Sequence, residues 1–373
     1  MKKIFSTFGL LLILCISTKS FANLKDTIPA NNKFIEYTGR IDFSNELAPK
    51  FSYSGVSIRA SFTGTRIAAI LNDDQGQNFY NVIIDGKVTD VIQVQTGERT
   101  YVLAENLNDS IHEVELFKRT ELTFGKTQFL GFILETGNTL VPISNRRTKL
   151  IEFIGNSITC GYGNEGTESD DFLNSNENHY MTYAAITARN FNARHIAVSR
   201  SGIGMYRNYN GPLEGSDDCM YNLYSRIFMY DKNSPLYSFK EQPDLICINL
   251  GTNDFSTTGG DSASFTNNYL KMIDFLQSKY NDPDIVCLLG PMMSGNTLSQ
   301  VRRILKTIVR LANNKNTGRV QFFEMSAQKG DLGIGVNCHP TVAQHQKNAK
   351  ELVAFISEFK GWKIVNNNMN QIQ

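Results

Sequence analysis

The sequence predicts two domains, an all-β sandwich followed by an α/β domain built on a doubly wound parallel sheet. The chain has 373 residues, more than one hydrophobic core usually accommodates. Between residues 33 and 141, short runs of alternating apolar and polar residues are separated by turn residues, with no helical period. From residue 149 onward, apolar strand patterns alternate with amphipathic helical patterns, which is typical of a parallel sheet.

The first domain is predicted to extend over residues 23–145. At least seven short strands are expected here, as in a sandwich and more specifically a jelly roll. Asp85-Gly86 lies between the alternating runs NFYNVII and VTDVIQVQ, and this dipeptide is typical of a two-residue hairpin turn.

The second domain is predicted to extend over residues 146–373. Its expected strands are LIEFIG, HIAVS, LICINLG, IVCLLGP and VQFFEMS, and its expected helices include MTYAAITARNF, FTNNYLKMIDFLQSKY, LSQVRRILKTIVRLANN and TVAQHQKNAKELVAFISEF. In open sheets of this kind, ligands bind beyond the carboxyl ends of the strands. Candidate site residues are therefore sought at those ends.

Residues 1–22 have the pattern of a secretory signal peptide: Lys2 and Lys3, an apolar run from Phe8 to Ile16, and small residues up to Ala22. The run is too short for the alternative, a permanent membrane anchor. Removal of residues 1–22 leaves 34 basic and 36 acidic residues. The net charge is then −2, against +1 for the whole chain. This balance argues against nucleic acid as a partner. The mature chain is predicted to have no membrane span and to be secreted or periplasmic.

Three candidate site residues lie within three positions of the ends of predicted strands. Ser157 follows LIEFIG, where it could act as a nucleophile or simply cap a helix. Gly202 follows HIAVS, where a missing side chain lets a backbone amide approach a bound oxygen. Asn253 follows LICINLG, either as an oxyanion donor or as an ordinary turn residue.

His339 is the histidine best placed to act as a base, because it lies after the last strand and just before a helix that begins near Pro340. This places it at the same sheet edge as Ser157. A metal site formed with His345 is not expected, since no third ligand has suitable spacing.

Four motifs occur in the order GNSIT, SGIG, GTND and HP. This order resembles the SGNH hydrolase superfamily, whose blocks carry Ser, Gly, Asn and His. The longer segments GNSITCGYGNEG, SRSGIGMYRNY and HPTVAQHQKNA resemble carbohydrate esterase family two more closely. The resemblance implies a jelly roll ahead of a flavodoxin-like SGNH domain, which together account for essentially the whole mature chain.

The same resemblance implies the roles of individual residues. Ser157 would be the nucleophile and His339 the general base. The backbone amides of Ser157 and Gly202 and the side-chain amide of Asn253 would form the oxyanion hole. No metal ion and no organic cofactor is required.

Two positions depart from the superfamily pattern. Asn156 stands where the first block usually has aspartate, and an amide there can still brace the loop. Val336 stands three residues before His339, where an orienting aspartate is common. Either Asp331 reaches the ring instead, or a backbone carbonyl accepts the imidazole proton and the site is a Ser-His dyad, which is the alternative we favour.

Cysteines and tyrosines near the motifs add further expectations. A disulfide between Cys160 and Cys338 is expected only if their two loops converge. The three tyrosines near the site are expected to stack on sugar rings or, alternatively, to pack within their loops; they are Tyr162, Tyr206 and Tyr209.

The resemblance implies a secreted acetyl xylan esterase-like carboxylic ester hydrolase that removes O-acetyl groups from hemicellulose such as xylan, mannan or glucomannan. Its partner would be an acetylated plant polysaccharide or oligosaccharide. One alternative is an SGNH lipase or arylesterase that acts on other small esters. Another is a catalytically silent carbohydrate-binding protein, although such a protein has no need of all four motif residues.

Overall fold

The structure is a computed structural model that describes residues 24–257, 259–315 and 319–365. The predicted signal peptide lies outside the described residues. Within the described part of the chain, no helix has the length and apolar character that crossing a membrane requires.

The N-terminal part consists of antiparallel strands in two sheets. In chain order the strands are β1 (Leu24–Pro29), β2 (Glu36–Thr38), β3 (Ile41–Asp42), β4 (Lys50–Phe51), β5 (Ser57–Gly64), β6 (Ile67–Asp73), β7 (Phe79–Ile84), β8 (Lys87–Gln93), β9 (Gly97–Ala104), β10 (Ser110–Lys118), β11 (Thr127–Glu135) and β12 (Leu140–Val141). One sheet has the order β3-β4-β11-β6-β9, with β1 beside β11. The other has the order β12-β5-β10-β7-β8, with β2 beside β5. The predicted sandwich is therefore confirmed.

The apolar residues that alternate along these strands form the core between the two sheets. Ile58 and Phe62 of β5 are buried, as are Leu116 of β10 and Phe129 and Phe132 of β11. Burial of each such side chain stabilises the fold by about 1.5–3 kcal/mol relative to its exposure to water.

The hairpin predicted at Asp85-Gly86 joins β7 to β8. Asp85 and Gly86 have positive φ angles of 50° and 78°, and Ile84 pairs with Lys87 across the turn. Positive φ at both central residues is the geometry that a tight hairpin turn of this kind requires.

The C-terminal part is a parallel sheet covered by helices. In chain order its elements are β13 (Lys149–Gly155), α1 (Ser157–Cys160), α2 (Tyr183–Asn190), β14 (Ala193–Ser199), α3 (Met220–Leu223), β15 (Leu245–Asn249), α4 (Ser262–Lys279), β16 (Asp284–Leu289), α5 (Gly295–Lys315), β17 (Val320–Glu324) and α6 (Val342–Lys360). The strand order is β14-β13-β15-β16-β17. The predicted doubly wound sheet is confirmed, and the order reverses between β13 and β15, where such sheets form a ligand crevice.

A buried ion pair joins the two parts. Arg40, between β2 and β3, lies 3.1 Å from Glu152 at the centre of β13, and both side chains are fully buried. The hydroxyls of Tyr224 and Tyr280 donate to the two Glu152 oxygens at 2.8 and 2.9 Å. The Arg40 guanidinium also lies over the Tyr224 ring, 4.2 Å from its centroid. These contacts compensate a carboxylate that would otherwise be costly inside a parallel sheet.

Candidate active site

Ser157 begins a tight turn at the carboxyl end of β13. The Asn156 side chain caps α1 by accepting a hydrogen bond from the Ile158 N–H at 3.0 Å, so the amide at this departure from the superfamily pattern does brace the loop. The Thr159 side chain of α1 packs directly against Gly155 at the end of β13. A Cβ at Gly155 would lie 2.0 Å from Thr159 Oγ1, so this packing requires glycine. The Ser157 residue is 7% exposed and lies at the crevice.

His339 meets the Ser157 hydroxyl across this crevice. Its Nε2 lies 2.8 Å from Ser157 Oγ. Its Nδ1 lies 3.0 Å from the carbonyl oxygen of Val336 and 3.1 Å from that of Asn337. Carbonyl oxygens only accept, so the proton resides on Nδ1 and Nε2 is left to accept from the serine hydroxyl. The imidazole is therefore held in the tautomer that a general base requires.

Backbone carbonyls, and not Asp331, orient the imidazole. Asp331 is exposed, and its side chain makes no hydrogen bond or ion pair within the described part of the chain. The carbonyls reach Nδ1 because Asn337 and Cys338 adopt left-handed φ angles of 50° and 63°, which curl the short 3₁₀ turn Val336–Cys338 back onto His339. Such a conformation is costly for residues other than glycine and is held here by the surrounding contacts.

Tyr162 packs against the imidazole. Its ring centroid lies 4.5 Å from that of His339, and Phe172 stacks on it at 3.7 Å with an interplanar angle of 6°. The Tyr162 hydroxyl accepts a hydrogen bond of 3.0 Å from Asn337 Nδ2. These contacts brace the histidine loop and leave little of the ring for a sugar.

The three candidate oxyanion donors come together at one sheet edge. Gly155 pairs in register with Ser199 of β14 and with Asn249 of β15, so the loops that follow these strands meet. Asn253 Nδ2 donates to the Ile203 carbonyl at 2.8 Å, which leaves its second hydrogen for a ligand. Among the described residues, no acceptor is paired with the backbone N–H of Ser157 or Gly202.

Asp254 fixes the loop that follows Gly202, a role that the sequence did not reveal. Its buried carboxylate accepts the backbone N–H groups of Met205, Tyr206 and Arg207 at 3.0, 2.8 and 3.1 Å. Burial raises the pKa of Asp254 to about 6 despite these three donors. The signal in the sequence is its position in the GTND motif beside Asn253.

The other two tyrosines differ in their surroundings. Tyr206 is 2% exposed and its hydroxyl accepts from the Asp261 N–H, so of the two alternatives its ring packs within its loop and does not stack on a sugar. Its backbone N–H is one of the three that donate to the buried Asp254 carboxylate. Tyr209 is 55% exposed, and its N–H donates to the Gly202 carbonyl at 2.8 Å. Tyr209 is therefore the one predicted tyrosine whose ring is open to a ligand at this edge.

The disulfide considered between Cys160 and Cys338 is not formed, and that prediction is wrong. Cys160 is a buried free thiol on the inner side of α1, where its Sγ lies 3.4 Å from Glu121 Oε2 and 3.3 Å from Ser199 Oγ. Cys338 is an exposed free thiol. The loops converge through Ser157 and His339, whereas the two thiols face different surroundings.

Three buried groups lie close enough together to be considered as metal ligands. Within the described ranges, one ligand atom each of Glu121, Cys160 and Glu177 lies within 4.8 Å of the others. Burial raises the pKa values of Cys160 and of Glu177 well above their ordinary values, so both are protonated near neutral pH. A cation would have to displace two protons here, and the existing hydrogen bonds explain the cluster without one.

Replacing Asn253 by alanine is expected to lower kcat by about 10²–10³-fold with little change in KM, because the amide acts on charge that develops only in the transition state. Steady-state kinetics on an activated acetate ester measure this. A raised KM with unchanged kcat would show that Asn253 binds the ground state instead.

Replacing Asp331 by asparagine is expected to leave kcat within about twofold of the wild-type value, because the exposed carboxylate makes no contact with the imidazole. The same kinetic assay, with circular dichroism to establish folding, tests this. A large fall in kcat in a folded variant would contradict the dyad.

The acid limb of the pH profile is expected to lie below pH 6.5. Burial lowers the pKa of His339 below its ordinary value of 6.5, and the two backbone hydrogen bonds only partly oppose this effect. Only the neutral imidazole accepts the serine proton, so kcat/KM falls as the pH drops through this lowered pKa. An apparent pKa above 7, measured where circular dichroism shows folded protein, would contradict the assignment.

Comparison with known proteins identifies relatives of both parts of the chain. Residues 37–143 match the family model Carbohydrate esterase 2 N-terminal, and residues 153–347 match that of the GDSL-like Lipase/Acylhydrolase family. The chain is 30% identical over 327 residues to an acetylxylan esterase / glucomannan deacetylase of Cellvibrio japonicus. This alignment covers 83% of this chain and 86% of that protein. It is 38% identical over 333 residues to the cellulase/esterase CelE of Acetivibrio thermocellus; the match covers 89% of this chain but only 40% of CelE.

Solved structures of similar proteins share the whole arrangement. A family two carbohydrate esterase from Clostridium thermocellum in complex with cellohexaose superposes with a TM-score of 0.83 at 37% identity, covering 88% of this chain and 99% of that one. A family two carbohydrate esterase from Cellvibrio japonicus also gives 0.83, at 26% identity, over 90% of this chain and 98% of that one.

Proposed function

The chain belongs to carbohydrate esterase family two, and we propose that it removes O-acetyl groups from hemicellulose by serine nucleophilic catalysis. The observation that carries the proposal is the 2.8 Å contact between Ser157 Oγ and His339 Nε2, with the opposite ring nitrogen held by carbonyl oxygens. A serine, an oriented imidazole and convergent amide donors are the parts that acyl transfer requires.

In the proposed first step, Ser157 Oγ attacks the acetyl carbonyl carbon while His339 Nε2 takes the hydroxyl proton. The carbonyl π electrons move to oxygen, and the amides of Ser157, Gly202 and Asn253 donate to the resulting oxyanion. When the tetrahedral intermediate collapses, the bond to the sugar oxygen breaks and His339 returns the proton to that oxygen. Water then attacks the acetyl-serine by the same route, and acetate leaves.

The dyad is supported by how the transient imidazolium is stabilised. In this mechanism the carbonyls of Val336 and Asn337 point their negative ends at Nδ1–H, where other members of the superfamily commonly place a carboxylate. Charge-assisted hydrogen bonds are stronger than neutral ones, so both contacts strengthen when the ring is protonated. This differential stabilisation assists proton transfer without a third side chain.

Several features support a neutral glycan ester as the substrate. One curated relative is named an acetylxylan esterase / glucomannan deacetylase, and one similar structure contains cellohexaose. Tyr209 offers an exposed ring next to Gly202, suited to stacking on a sugar. The small net charge suits an uncharged polysaccharide, and the signal-peptide pattern of residues 1–22 supports secretion to where such a polymer is found.

Acetate release from acetylated xylan and from acetylated glucomannan tests the proposal, with esters of longer acyl chains compared under the same conditions. We expect acetate from at least one polysaccharide and a preference for acetyl over longer chains. A preference for long acyl esters would favour the lipase or arylesterase alternative. Binding of the glycans with no release of acetate would favour the silent carbohydrate-binding protein.

A further inference from the structure

A buried turn of the sandwich reaches the candidate oxyanion hole. At the end of β10, the Lys118 ammonium donates to the carbonyl oxygens of Thr120 and Glu121 at 2.6 and 3.2 Å. All three residues are buried, and Glu121 is 3% exposed. The Glu121 N–H also donates to Glu177 Oε2 at 2.8 Å. The backbone that carries the Glu121 side chain is therefore fixed from both domains.

The Glu121 carboxylate contacts both loops of the candidate site. Its Oε2 accepts the Ser201 N–H at 2.7 Å and the Cys160 S–H at 3.4 Å. Ser201 immediately precedes Gly202, and Cys160 lies on α1 three residues after Ser157. One carboxylate oxygen therefore links the element that carries the nucleophile to the loop that carries an oxyanion donor.

The peptide group that presents the Gly202 N–H is held on both sides. On one side, Ser201 donates to Glu121. On the other, the Gly202 carbonyl accepts the Tyr209 N–H at 2.8 Å. Gly202 itself has a φ of 81°, a conformation that L side chains rarely adopt, in a turn closed by the Ile203 N–H on the Arg200 carbonyl at 3.3 Å, and these two anchors hold that turn in place. Loss of either anchor allows the donor to turn away from the oxyanion.

The other two side chains of this cluster, Glu177 and Cys160, have raised pKa values. Burial and the nearby Glu121 carboxylate raise the pKa of Glu177 well above its ordinary value, so Glu177 is neutral. Burial likewise keeps the Cys160 thiol protonated. The Ser201 N–H therefore donates to a side chain whose neighbours are themselves held by hydrogen bonds within the cluster.

We propose that Glu121 of the sandwich is a positioning residue for ester hydrolysis, which it supports by holding the Ser201 peptide so that the Gly202 N–H faces the oxyanion. The proposal rests on the proposed function, because it assigns Glu121 to the oxyanion hole of that reaction. It also gives the sandwich a part in positioning the candidate site, since Glu121 belongs to the residues matched by the N-terminal family model.

Two substitutions that remove the carboxyl group separate the hydrogen bond to Ser201 from other roles of Glu121. Glu121→Gln keeps an oxygen that can accept the Ser201 N–H, whereas Glu121→Leu has similar volume and no acceptor. On an activated acetate ester, we expect Glu121→Leu to lower kcat by about 30- to 100-fold with KM within about twofold, and Glu121→Gln to retain kcat within about threefold. Glu121→Asp, whose shorter side chain withdraws the oxygen, is expected to lose kcat in the same way and replaces the leucine variant if that one does not fold.

The control is Glu115→Leu, which removes a buried carboxylate of the same domain that bonds Arg147 and Ser57, away from Ser201. We expect it to lower the thermal unfolding midpoint and to leave kcat unchanged. Equal losses in Glu121→Gln and Glu121→Leu, or kcat within twofold in Glu121→Leu, would overturn the positioning role. An inactive wild-type enzyme would instead overturn the proposed function.

Discussion

Replacing Ser157 by alanine is expected to lower kcat on an activated acetate ester by about 10⁴–10⁶-fold. The hydroxyl that contacts His339 Nε2 at 2.8 Å is the atom that forms the covalent intermediate, and without it the remaining amides can only polarise the ester toward direct attack by water. Stopped assays at high enzyme concentration measure the residual rate, and a burst of alcohol product in wild type alone would report the acetyl-enzyme.

Two further measurements make the Ser157 result specific. Ser44→Ala changes an exposed serine of the sandwich, just after β3, and is expected to retain full activity. Binding of an acetylated oligosaccharide to Ser157→Ala, followed by calorimetry, is expected to persist because the pocket keeps its shape. Wild-type rates in Ser157→Ala would remove the nucleophile assignment and with it the proposed mechanism.

Ligands of open parallel sheets bind beyond the carboxyl ends of the strands, and this rule suffices to predict the main residues of the candidate site. Ser157 and Asn253 follow β13 and β15, and in a parallel sheet the register of these strands fixes where the next residues lie. His339 follows the last strand and reaches the same edge. Local pattern therefore suffices for residues that the sheet itself positions.

Contacts that arise only when the domains pack together could not be predicted in this way. Glu121 lies 80 positions before Ser201 in the sequence, in a segment that reads as part of the sandwich alone. Tyr206 is buried in a loop whose backbone N–H groups donate to Asp254. Cys160 lies on the side of α1 that contacts the sandwich, so its surroundings differ from those of Cys338. None of these has a local period or motif.

The same limit applies to Arg40 and Glu152. In the sequence, Arg40 has the pattern of an exposed charged residue, and Glu152 interrupts an apolar strand. Glu152 is the fourth residue of β13, where a fully buried position normally holds an apolar side chain. The partner that makes this carboxylate tolerable is 112 positions away. The ion pair couples the sandwich to the strand that leads into Ser157, as Glu121 couples it to α1 and to the loop of Ser201.

Replacing Arg40 by methionine is therefore expected to lower the free energy of unfolding by about 3–5 kcal/mol, because it leaves the Glu152 charge buried without its partner. The Tyr224 and Tyr280 hydroxyls still donate to the carboxylate, but they supply no opposite charge. Urea unfolding followed by circular dichroism and by the fluorescence of Trp362, the single tryptophan, measures the change in both parts of the chain.

Two comparisons show whether the loss comes from the unpaired charge. Adding Glu152→Gln to Arg40→Met removes that charge, so the double variant is expected to recover more than half of the lost stability, and the coupling follows from the double-mutant cycle. Arg146→Met is the matched control: Arg146 lies 3.8 Å from Glu36 with its side chain 70% exposed, and an exposed pair contributes only about 0–1 kcal/mol. If Arg40→Met lost no more than Arg146→Met, the buried pair would not hold the domains together, and the coupling between sandwich and active site would have to rest on Glu121 and its neighbours.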